Sequence, residues 1–325
     1  MNKITVVSPA NIAFIKYWGK INPKLNIPFN DSISMNLSDC LTTTTVEFDK
    51  KNKKDKILIN NKEVEGSKKE RVVQILDLIR KKVGIKLFAK VESKNNFPTD
   101  AGIASSASGF SALALAGSRA AGLSLSQKEV SILARMGSGS ACRSVPDGFT
   151  YWQKGKDNES SYAFQIVPAD FWDLRDVIAV VSKGGKKVGS TEGHELATTS
   201  PYFSVRIKNI EKRTKNLKKA LLVRDFKTFG ELVEEEAVDL HVMAMTSKPP
   251  VFYWNNGTMD VMKIVFELRE KGTLCYFTMD AGPNVHIICL GKDESKVKKA
   301  IQKLSSVYSV ISNKAAAGAK IICKN

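Results

Sequence analysis

The sequence predicts a mixed chain of the α/β or α+β class, in which strands and helices are interleaved. Short runs rich in Val, Ile and Thr, which favour strands, alternate with longer segments whose apolar residues recur near the helical period. The 325 residues suffice for one large domain or two medium ones. A basic Gly turn followed by long charged helical segments marks a composition change near residues 170–185, which predicts a boundary between two halves.

The N-terminal half is predicted to contain a small set of strands and three helices. The strand-like runs cover residues 3–8, 41–48 and 85–93, and a hairpin over 56–64 turns at Asn60-Asn61. Periodicity and composition predict helices at residues 65–82, 104–121 and 126–136. Loop chemistry is predicted for residues 16–38, which contain Gly19, Pro23, Pro28, Asn30 and Asp31.

The C-terminal half alternates in the same way. Apolar strand runs occur at residues 176–182, 274–279, 285–290, 307–311 and 318–323. Helices are predicted at residues 201–219, 224–240 and 293–305.

Composition excludes several classes of protein. A hydrophobic fraction of 43% is ordinary for a globular chain and argues against disorder. No apolar run approaches the ~18–20 residues of a membrane span, and the first residues lack the apolar core of a secretory signal, so we expect a cytoplasmic protein. The five Cys form no CxxC pair, which disfavours a disulfide framework or a zinc site.

The formal net charge of +17 suits anionic partners such as nucleic acid or phosphorylated substrates. However, 40 of the 50 basic residues are Lys, many of them in charged runs typical of a solvated surface. Arg is better suited than Lys to recognise phosphates and bases, because its planar guanidinium can donate two parallel hydrogen bonds. The composition therefore gives little support to sequence-specific nucleic-acid binding.

The strongest local signal is the segment Pro98–Ser108, which leads into the predicted helix 104–121. Its glycine permits close approach to a ligand, and the free N–H groups at a helix start favour an anion. The hydroxyls of Ser105, Ser106 and Ser108 add donors or a magnesium ligand. This chemistry is that of a phosphate-binding loop without the lysine of GxxxxGK[ST]. A helix N-cap followed by a small-residue packing face explains the pattern equally well.

The segment Gly137–Ser144 places two glycines, serines and one arginine in eight residues. Ser138, Ser140 and Arg143 can point at one oxyanion, with the guanidinium as a bidentate clamp on a carboxylate or phosphate. An ordinary loop with a surface arginine is the alternative.

The segment Asn11–Lys20 carries two lysines four residues apart, Lys16 and Lys20, with Tyr17 and Trp18 between them. Apolar neighbours strengthen the field of a lysine because they exclude water. The alternative is an aromatic packing corner with two solvated lysines.

Asp280 ends an apolar strand and precedes a tight Ala-Gly-Pro-Asn turn. A carboxylate in that position can face a cleft and act as a general base or orient a hydroxyl, although a turn-initiating Asp is the alternative. His194, His241 and His286 are not at metal-ligand spacing, and His286 lies inside an apolar strand, where we expect a core residue.

Together these segments resemble the diphosphomevalonate decarboxylase family, which belongs to the superfamily of galactokinase, homoserine kinase, mevalonate kinase and phosphomevalonate kinase. The matching motifs are SPANIAFIKYWGK, NDSISMNL, FPTDAGIASSASGF, ARMGSGSACRS, PPVFYWN and FTMDAGPN. They run in order from residue 8 to residue 284. PTDAGIASSAS marks only the superfamily, whereas KYWGK, GSGSACRS and MDAGPN together point to the decarboxylase branch.

The resemblance implies an α+β, two-part fold with the active site in the cleft between the parts. Residues 1–175 are expected to resemble domain 2 of ribosomal protein S5 and to bind ATP, and residues 176–325 to be ferredoxin-like. The implied reaction uses ATP and Mg²⁺: the 3-hydroxyl of mevalonate 5-diphosphate is phosphorylated, then phosphate and CO₂ leave to give isopentenyl diphosphate. On the same basis we expect a homodimer, with neither specific nucleic acid nor membrane as partner.

The resemblance also implies roles for individual residues. Asp280 is expected to act on the 3-hydroxyl as base or orienter, Arg143 to bind the substrate carboxylate, and Lys16 to stabilise charge near the transferred phosphoryl group. The residues expected to bind the diphosphate are Tyr17, Lys20, Ser138 and Ser140, with Ser190 as a further substrate contact. Those expected at ATP are Pro98, Gly102, Ala104, Ser105, Ser106 and Ser108, with Ser106 also as a magnesium contact.

The chain departs from the usual family pattern at three places. Ile21-Asn22 replaces a charged pair, His194 stands where Met is usual, and Asp100 stands where Ala is common. None of these removes a residue expected to do chemistry, but they are compatible with a changed substrate preference. The alternatives are a mevalonate 5-phosphate decarboxylase or a mevalonate 3-kinase of the same fold, and, in another class, a basic nucleic-acid-binding protein.

Overall fold

The computed structural model describes residues 2–98, 105–182, 184 and 188–324. Its strands are β1 (Ile4–Ile15), β2 (Lys20–Asn22), β3 (Ile27–Pro28), β4 (Ser32–Asp49), β5 (Lys56–Ile59), β6 (Lys62–Glu63), β7 (Phe88–Asn95), β8 (Phe149–Gln153), β9 (Tyr162–Val167), β10 (Leu174–Val180), β11 (Cys275–Thr278), β12 (Val285–Leu290), β13 (Ser309–Lys314) and β14 (Lys320–Lys324). Its α-helices are α1 (Gly66–Val83), α2 (Ser105–Ala120), α3 (Gln127–Gly137), α4 (Ser190–Leu196), α5 (Phe203–Val223), α6 (Phe226–Met245), α7 (Asn256–Glu270) and α8 (Glu294–Gln302). Short 3₁₀ helices cover Gly139–Ser144, Ala197–Thr199 and Gly291–Asp293.

The larger sheet has the order β14-β1-β4-β7-β5-β6, and β8 and β9 extend it from β4. Strand β4 is long enough to pair with two strands along the same edge. Its first part, Ser32–Met35, pairs with β8, and its last part, Thr42–Asp49, pairs with β7. From Cys40 to Phe48 every second side chain is buried, which is the period of a strand with one face on the core. Helix α2 packs centrally against β1 and β4, as its small residues predict.

The smaller sheet has the order β11-β12-β10-β13 and is antiparallel throughout. Apolar side chains of α7 and α8 pack with one of its faces. The other face contributes Ile178 and Ile288 to a core that also contains residues of the larger sheet. In that core the rings of Phe14 on β1 and Phe229 on α6 meet edge to face, with centroids 4.9 Å apart. The two halves are therefore packed together through a shared apolar core.

Two segments differ from the sequence prediction. Strand β1 continues beyond residue 8 to Ile15, and the predicted loop 16–38 contains the first part of β4 as well as β2 and β3. The reason is that Ile33, Met35 and Leu37 provide an alternating apolar pattern, which outweighs the nearby turn residues. The hairpin at Asn60-Asn61 forms as predicted, with both residues at positive φ.

Besides β2 and β3, the elements that were not predicted from the sequence are β8, β9, α4 and α7. Helix α7 did carry a signal, because Asn255 and Thr258 form a capping box ahead of buried Val261 and Val265. The last strand, β14, lies beyond the predicted boundary but pairs with β1 in the larger sheet. None of the described helices combines the length and the apolar composition that a membrane span requires.

Candidate active site

A cleft of about 660 Å³ is lined by residues from both halves of the chain. Its walls come from the segment after β1, the start of α2, the loop after α3, the start of α4 and the turn after β11. The residues predicted from the sequence that line it are Lys16, Tyr17, Lys20, Ser105, Ser106, Ser138, Ser140, Arg143, Ser190 and Asp280. Segments that are far apart in sequence thus meet in one cavity.

Lys16 and Asp280 form an ion pair in this cleft. The Nζ of Lys16 donates a hydrogen bond of 2.8 Å to Oδ1 of Asp280. The lysine side chain is 1% exposed, whereas that of Asp280 is 25% exposed, so the carboxylate retains an open side toward the cleft. Asp280 follows β11 by two residues, and the Ala-Gly-Pro turn after it directs the chain away.

The pair shifts the ionisation of both groups. Burial lowers the pKa of Lys16, and the charge of Asp280 opposes this only in part. Burial acts to raise the pKa of Asp280, but the ammonium of Lys16, with smaller effects of His286 and Arg143, outweighs it and holds the pKa below its ordinary value. Asp280 is therefore an ionised acceptor at neutral pH.

Side chains from both halves hold the backbone of Lys16. Its N–H donates to Oε1 of Glu236 at 2.9 Å, and its carbonyl accepts from Asn30 at 3.0 Å and from Arg206 at 3.3 Å. Glu236 and Arg206 are fully buried and paired with each other at 2.6 Å. Because a buried charge is tolerated only when it is paired, this arrangement fixes one position for the lysine backbone.

Arg143 is buried and held by neutral partners. Its Nε donates to Oδ1 of Asn11 at 3.1 Å, and its Nη1 donates to Oγ of Ser32 at 2.9 Å. Among the described residues no carboxylate forms an ion pair with it, although Asp280 is close enough to act on its pKa. A guanidinium oriented in this way and lining a cleft is suited to a carboxylate or phosphate ligand.

The Tyr17 hydroxyl, like the Arg143 guanidinium, indicates that the cleft can bind a polar ligand. It is buried and has no hydrogen-bond partner among the residues that the structure describes. The ring lies so close to Gly139 that a Cβ there would be 2.4 Å from Cε1 of Tyr17, so this position requires glycine. Buried hydroxyls are rarely left unpaired, and a bound ligand oxygen can supply the missing partner.

The serines of the Gly137–Ser144 segment lie beside the start of α2. The hydroxyl of Ser138 donates to that of Ser106 at 3.3 Å. The carbonyl of Ser140 accepts from the Asn11 amide at 3.2 Å, which ties the loop to β1. Lys20 is partly buried, and this burial lowers its pKa. Lys20, Lys16 and Arg143 make the cleft strongly cationic.

The predicted phosphate-binding segment is described in part. Gly102, Ala104 and Asp100 lie outside the described residues. Pro98 is exposed and lines neither cavity, whereas Ser105 and Ser106 line the cleft at the first turn of α2.

Ser108 does not share the position of those two serines. It is fully buried, and its hydroxyl is paired with that of Thr42 at 2.6 Å and with the carbonyl of Ser105 at 3.2 Å. The expectation that Ser108 contacts ATP is therefore corrected: the helical period turns its side chain toward β4, and it has a packing role.

A second cavity of about 560 Å³ adjoins the cleft and was not predicted. The two cavities share Lys68, Arg71, Ser105 and Ser106. Its remaining lining is largely apolar, with residues such as Ile57, Ile59, Val64, Val91 and Leu113. An apolar chamber that opens onto a cationic cleft can hold a flat ring in one part and phosphates in the other. Lys68 and Arg71 lie in helix α1, which contains many charged residues. The sequence alone does not indicate which of these charged side chains line a cavity.

The histidines do not form a metal centre. No group of three or more His, Cys, Asp and Glu able to hold a metal ion occurs in the described part of the chain. His286 lies in the core as predicted, with Nδ1 2.9 Å from Asp176. His194 lines the cleft, which the sequence analysis did not predict.

Comparison with known proteins gives a consistent result. A family model described as the diphosphomevalonate decarboxylase-like N-terminal domain matches residues 8–163, and one described as the mevalonate 5-diphosphate decarboxylase C-terminal domain matches residues 176–322. The chain is 37% identical to the diphosphomevalonate decarboxylase of Debaryomyces hansenii, over 94% of this chain and 84% of that protein. It is 35% identical to the Saccharomyces cerevisiae protein of the same name, over 92% and 81%.

Solved structures agree with the sequence comparisons. The mevalonate diphosphate decarboxylase of Staphylococcus aureus is similar with a TM-score of 0.93 and 38% identity, over 99% of this chain and 98% of that one. The structure of MDDEF in complex with MVAPP, AMPPCP and magnesium also has a TM-score of 0.93, with 37% identity over 99% of both chains.

Proposed function

The chain belongs to the diphosphomevalonate decarboxylase family, and we propose that Asp280, Lys16 and Arg143 carry out the family's reaction in the cleft. The reaction is the ATP-dependent decarboxylation of mevalonate 5-diphosphate to isopentenyl diphosphate, with ADP, phosphate and CO₂ as the other products. The observation that carries the assignment of residues is the convergence of an ionised acid, an ammonium and a guanidinium in one cavity.

Asp280 is proposed to act on the tertiary 3-hydroxyl. Its open side accepts the hydroxyl hydrogen, so that an oxygen lone pair is aligned with the γ-phosphorus of ATP. As the new O–P bond forms and the bond to ADP breaks, the hydroxyl proton passes to the carboxylate and is later released with phosphate. Lys16 keeps the carboxylate ionised beforehand and stabilises the negative charge on the transferred group.

Arg143 is proposed to bind the carboxylate of the substrate, which leaves as CO₂. When the 3-phosphate leaves with the C–O electrons, positive charge develops at C3. The C–C bond to the carboxylate then breaks, its electron pair forms the double bond, and CO₂ is released. The hydrogen bonds of Arg143 to Asn11 and Ser32 orient its guanidinium for the substrate carboxylate, and within the described ranges no protein carboxylate is paired with it.

The diphosphate is proposed to bind Tyr17, Lys20, Ser138, Ser140 and Ser190. The unpaired Tyr17 hydroxyl and the Lys20 ammonium line the same cleft, and the loop serines add neutral donors. These groups match a substrate end that carries several negative charges.

We propose that the adenine base of ATP lies in the second cavity and that its phosphates bind the residues shared by the two cavities. Ser105 and Ser106, with Lys68 and Arg71, form that wall, and Pro98, Gly102 and Ala104 remain predicted nucleotide contacts. The exposed hydroxyl of Ser106 fits Mg²⁺, a hard cation that prefers oxygen ligands and keeps waters and phosphates around it. When bound at Ser106, Mg²⁺ would neutralise part of the negative charge of the ATP phosphates.

We also propose that residues 1–175 form the ATP-binding half and residues 176–325 the second half of the site. The positions of the two family models support this division. Location in the cytoplasm and assembly as a homodimer stay predictions, and sedimentation of the purified chain tests the latter.

The decisive experiment compares mevalonate, its 5-phosphate and its 5-diphosphate as substrates, with ADP, CO₂ and the organic product measured together. We expect equal amounts of ADP and CO₂ from the diphosphate and much slower turnover of the other two. Preference for the monophosphate would instead identify a 5-phosphate decarboxylase, and ADP without CO₂ a 3-kinase. Family membership favours all three over a nucleic-acid-binding protein, for which tight DNA binding at high salt would be needed.

A further inference from the structure

His194 is positioned as a fixed part of the cleft wall. It lies on α4 in the C-terminal half and is 8% exposed. Its ring lies against those of Tyr17 and Trp18, with centroid distances of 4.0 Å and 4.9 Å. The fit is tight around it, because a Cβ on the preceding Gly193 would be 2.5 Å from Cη2 of Trp18. The ring therefore has little freedom to turn.

One hydrogen bond determines which ring nitrogen of His194 carries the proton. The backbone N–H of Gly19 donates to Nδ1 at 3.0 Å, so Nδ1 is an acceptor. A neutral imidazole with an acceptor at Nδ1 has its hydrogen on Nε2. Burial, with the nearby charges of Lys20 and Arg143, lowers the pKa of His194 far below its usual value despite the opposing effect of Asp280. The ring is thus neutral and offers a single N–H.

The cleft gives that N–H a suitable ligand. His194 lines the same cavity as Lys20 and Ser190, and of the charged groups that act on it Lys20 has the largest effect. Lys20 is a group proposed above to bind the diphosphate.

We propose that His194 is a specificity-determining substrate contact, whose Nε2–H donates a hydrogen bond to the diphosphate of mevalonate 5-diphosphate; this inference rests on the proposed function. The hydrogen bond from the Gly19 N–H to Nδ1 fixes the orientation of the ring, and Nε2–H is left to donate to the diphosphate. The effect is to favour the diphosphate over the 5-phosphate, which lacks the second phosphoryl group near Lys20.

Two matched substitutions separate the two nitrogens. In His194→Asn the side-chain oxygen can still accept from Gly19, but nothing replaces Nε2–H. In His194→Gln the longer amide can bring an N–H to the place of Nε2. Titration calorimetry of each variant and of the unaltered protein with mevalonate 5-diphosphate and with mevalonate 5-phosphate, without ATP, gives the dissociation constants directly.

We expect His194→Asn to bind the diphosphate about 10-fold or more weakly, as the loss of a hydrogen bond to a charged group predicts, and the monophosphate within about 2-fold of the unaltered protein. His194→Gln is expected to stay within about 3-fold for both ligands. Unchanged diphosphate binding in His194→Asn, equal losses for both ligands, or equal losses in Asn and Gln variants would each overturn the inference. Failure of the unaltered protein to bind or turn over mevalonate 5-diphosphate would instead overturn the proposed function.

Discussion

The ammonium of Lys16 lies 2.8 Å from the carboxylate of Asp280, although the two residues are 264 positions apart in the chain. Lys16 follows β1, the strand next to the edge of the larger sheet, and Asp280 follows β11, an edge strand of the smaller one. Their contact therefore depends on how the two halves pack. The groups proposed to react belong to both halves, so the proposed site requires that the halves be docked.

Removal of the Asp280 carboxylate is the sharpest test of its role. We expect Asp280→Asn to lower kcat on the order of 10³-fold or more, because the amide cannot take the hydroxyl proton. The Kd of mevalonate 5-diphosphate should not rise, because the variant removes a negative charge from a site that binds an anion. Near-normal turnover in this variant would remove Asp280 from the chemistry.

Removal of the Lys16 charge should change the pH profile as well as the rate. Lys16 holds the pKa of Asp280 below its ordinary value, against the effect of burial. In Lys16→Met that pKa should rise, so the acidic limb of the profile, below which Asp280 is protonated and inactive, should move to higher pH. A slower enzyme with an unshifted limb would contradict the electrostatic link between the two residues.

The buried network behind Lys16 should be costly to break. Glu236 pairs with Arg206 and Arg213, both at 2.6 Å, and is fully buried. Removal of one partner of a buried pair typically costs about 3–5 kcal/mol, so Glu236→Gln should lower the free energy of unfolding by an amount of this order and reduce kcat.

The matched control for that variant is Glu235→Gln. Glu235 also pairs with Arg213 at 2.6 Å but is 57% exposed. Its loss should change the free energy of unfolding by less than about 1 kcal/mol, because exposed pairs are weak. Equal losses in the two variants, measured by urea denaturation, would refute the importance of burial in this network.

The nucleotide assignment can be tested by filling the second cavity. Gly109 lines it, and a Cβ there would meet no atom within 4 Å. In Gly109→Leu the added side chain should occupy the cavity and raise the KM of ATP about 10-fold or more, with little effect on the Kd of mevalonate 5-diphosphate. Gly109→Ala, which adds only a methyl group, is the control. An unchanged KM of ATP in the Leu variant would place the nucleotide elsewhere.

The sequence predicted most of the fold from local patterns. The strands of the smaller sheet and helices α5 and α6 follow from apolar runs and helical periodicity, which are local properties. The return of β14 to the larger sheet was beyond such patterns, because strand pairing depends on packing between distant segments. The alternation at Ile33, Met35 and Leu37 was available in the sequence but was outweighed by turn residues close to it.

The site was predictable where a residue type has a distinctive context. Lys16, Arg143 and Asp280 each stand in a short motif with aromatic, Gly or turn residues, and the cavity contains all three. Glu236 was not predictable, since it lies in the run Glu234–Glu236, which resembles a solvated helix face. The buried side of Ser108 and the cleft side of His194 likewise depend on how helices are rotated in the folded chain.

A crystal structure with mevalonate 5-diphosphate bound tests the central claim most directly, because it places C3 among the three groups. The account predicts the 3-hydroxyl within hydrogen-bond distance of Asp280, the substrate carboxylate on Arg143, and Lys16 next to the hydroxyl oxygen. A ligand bound with C3 out of reach of Asp280, or with its carboxylate away from Arg143, would contradict it.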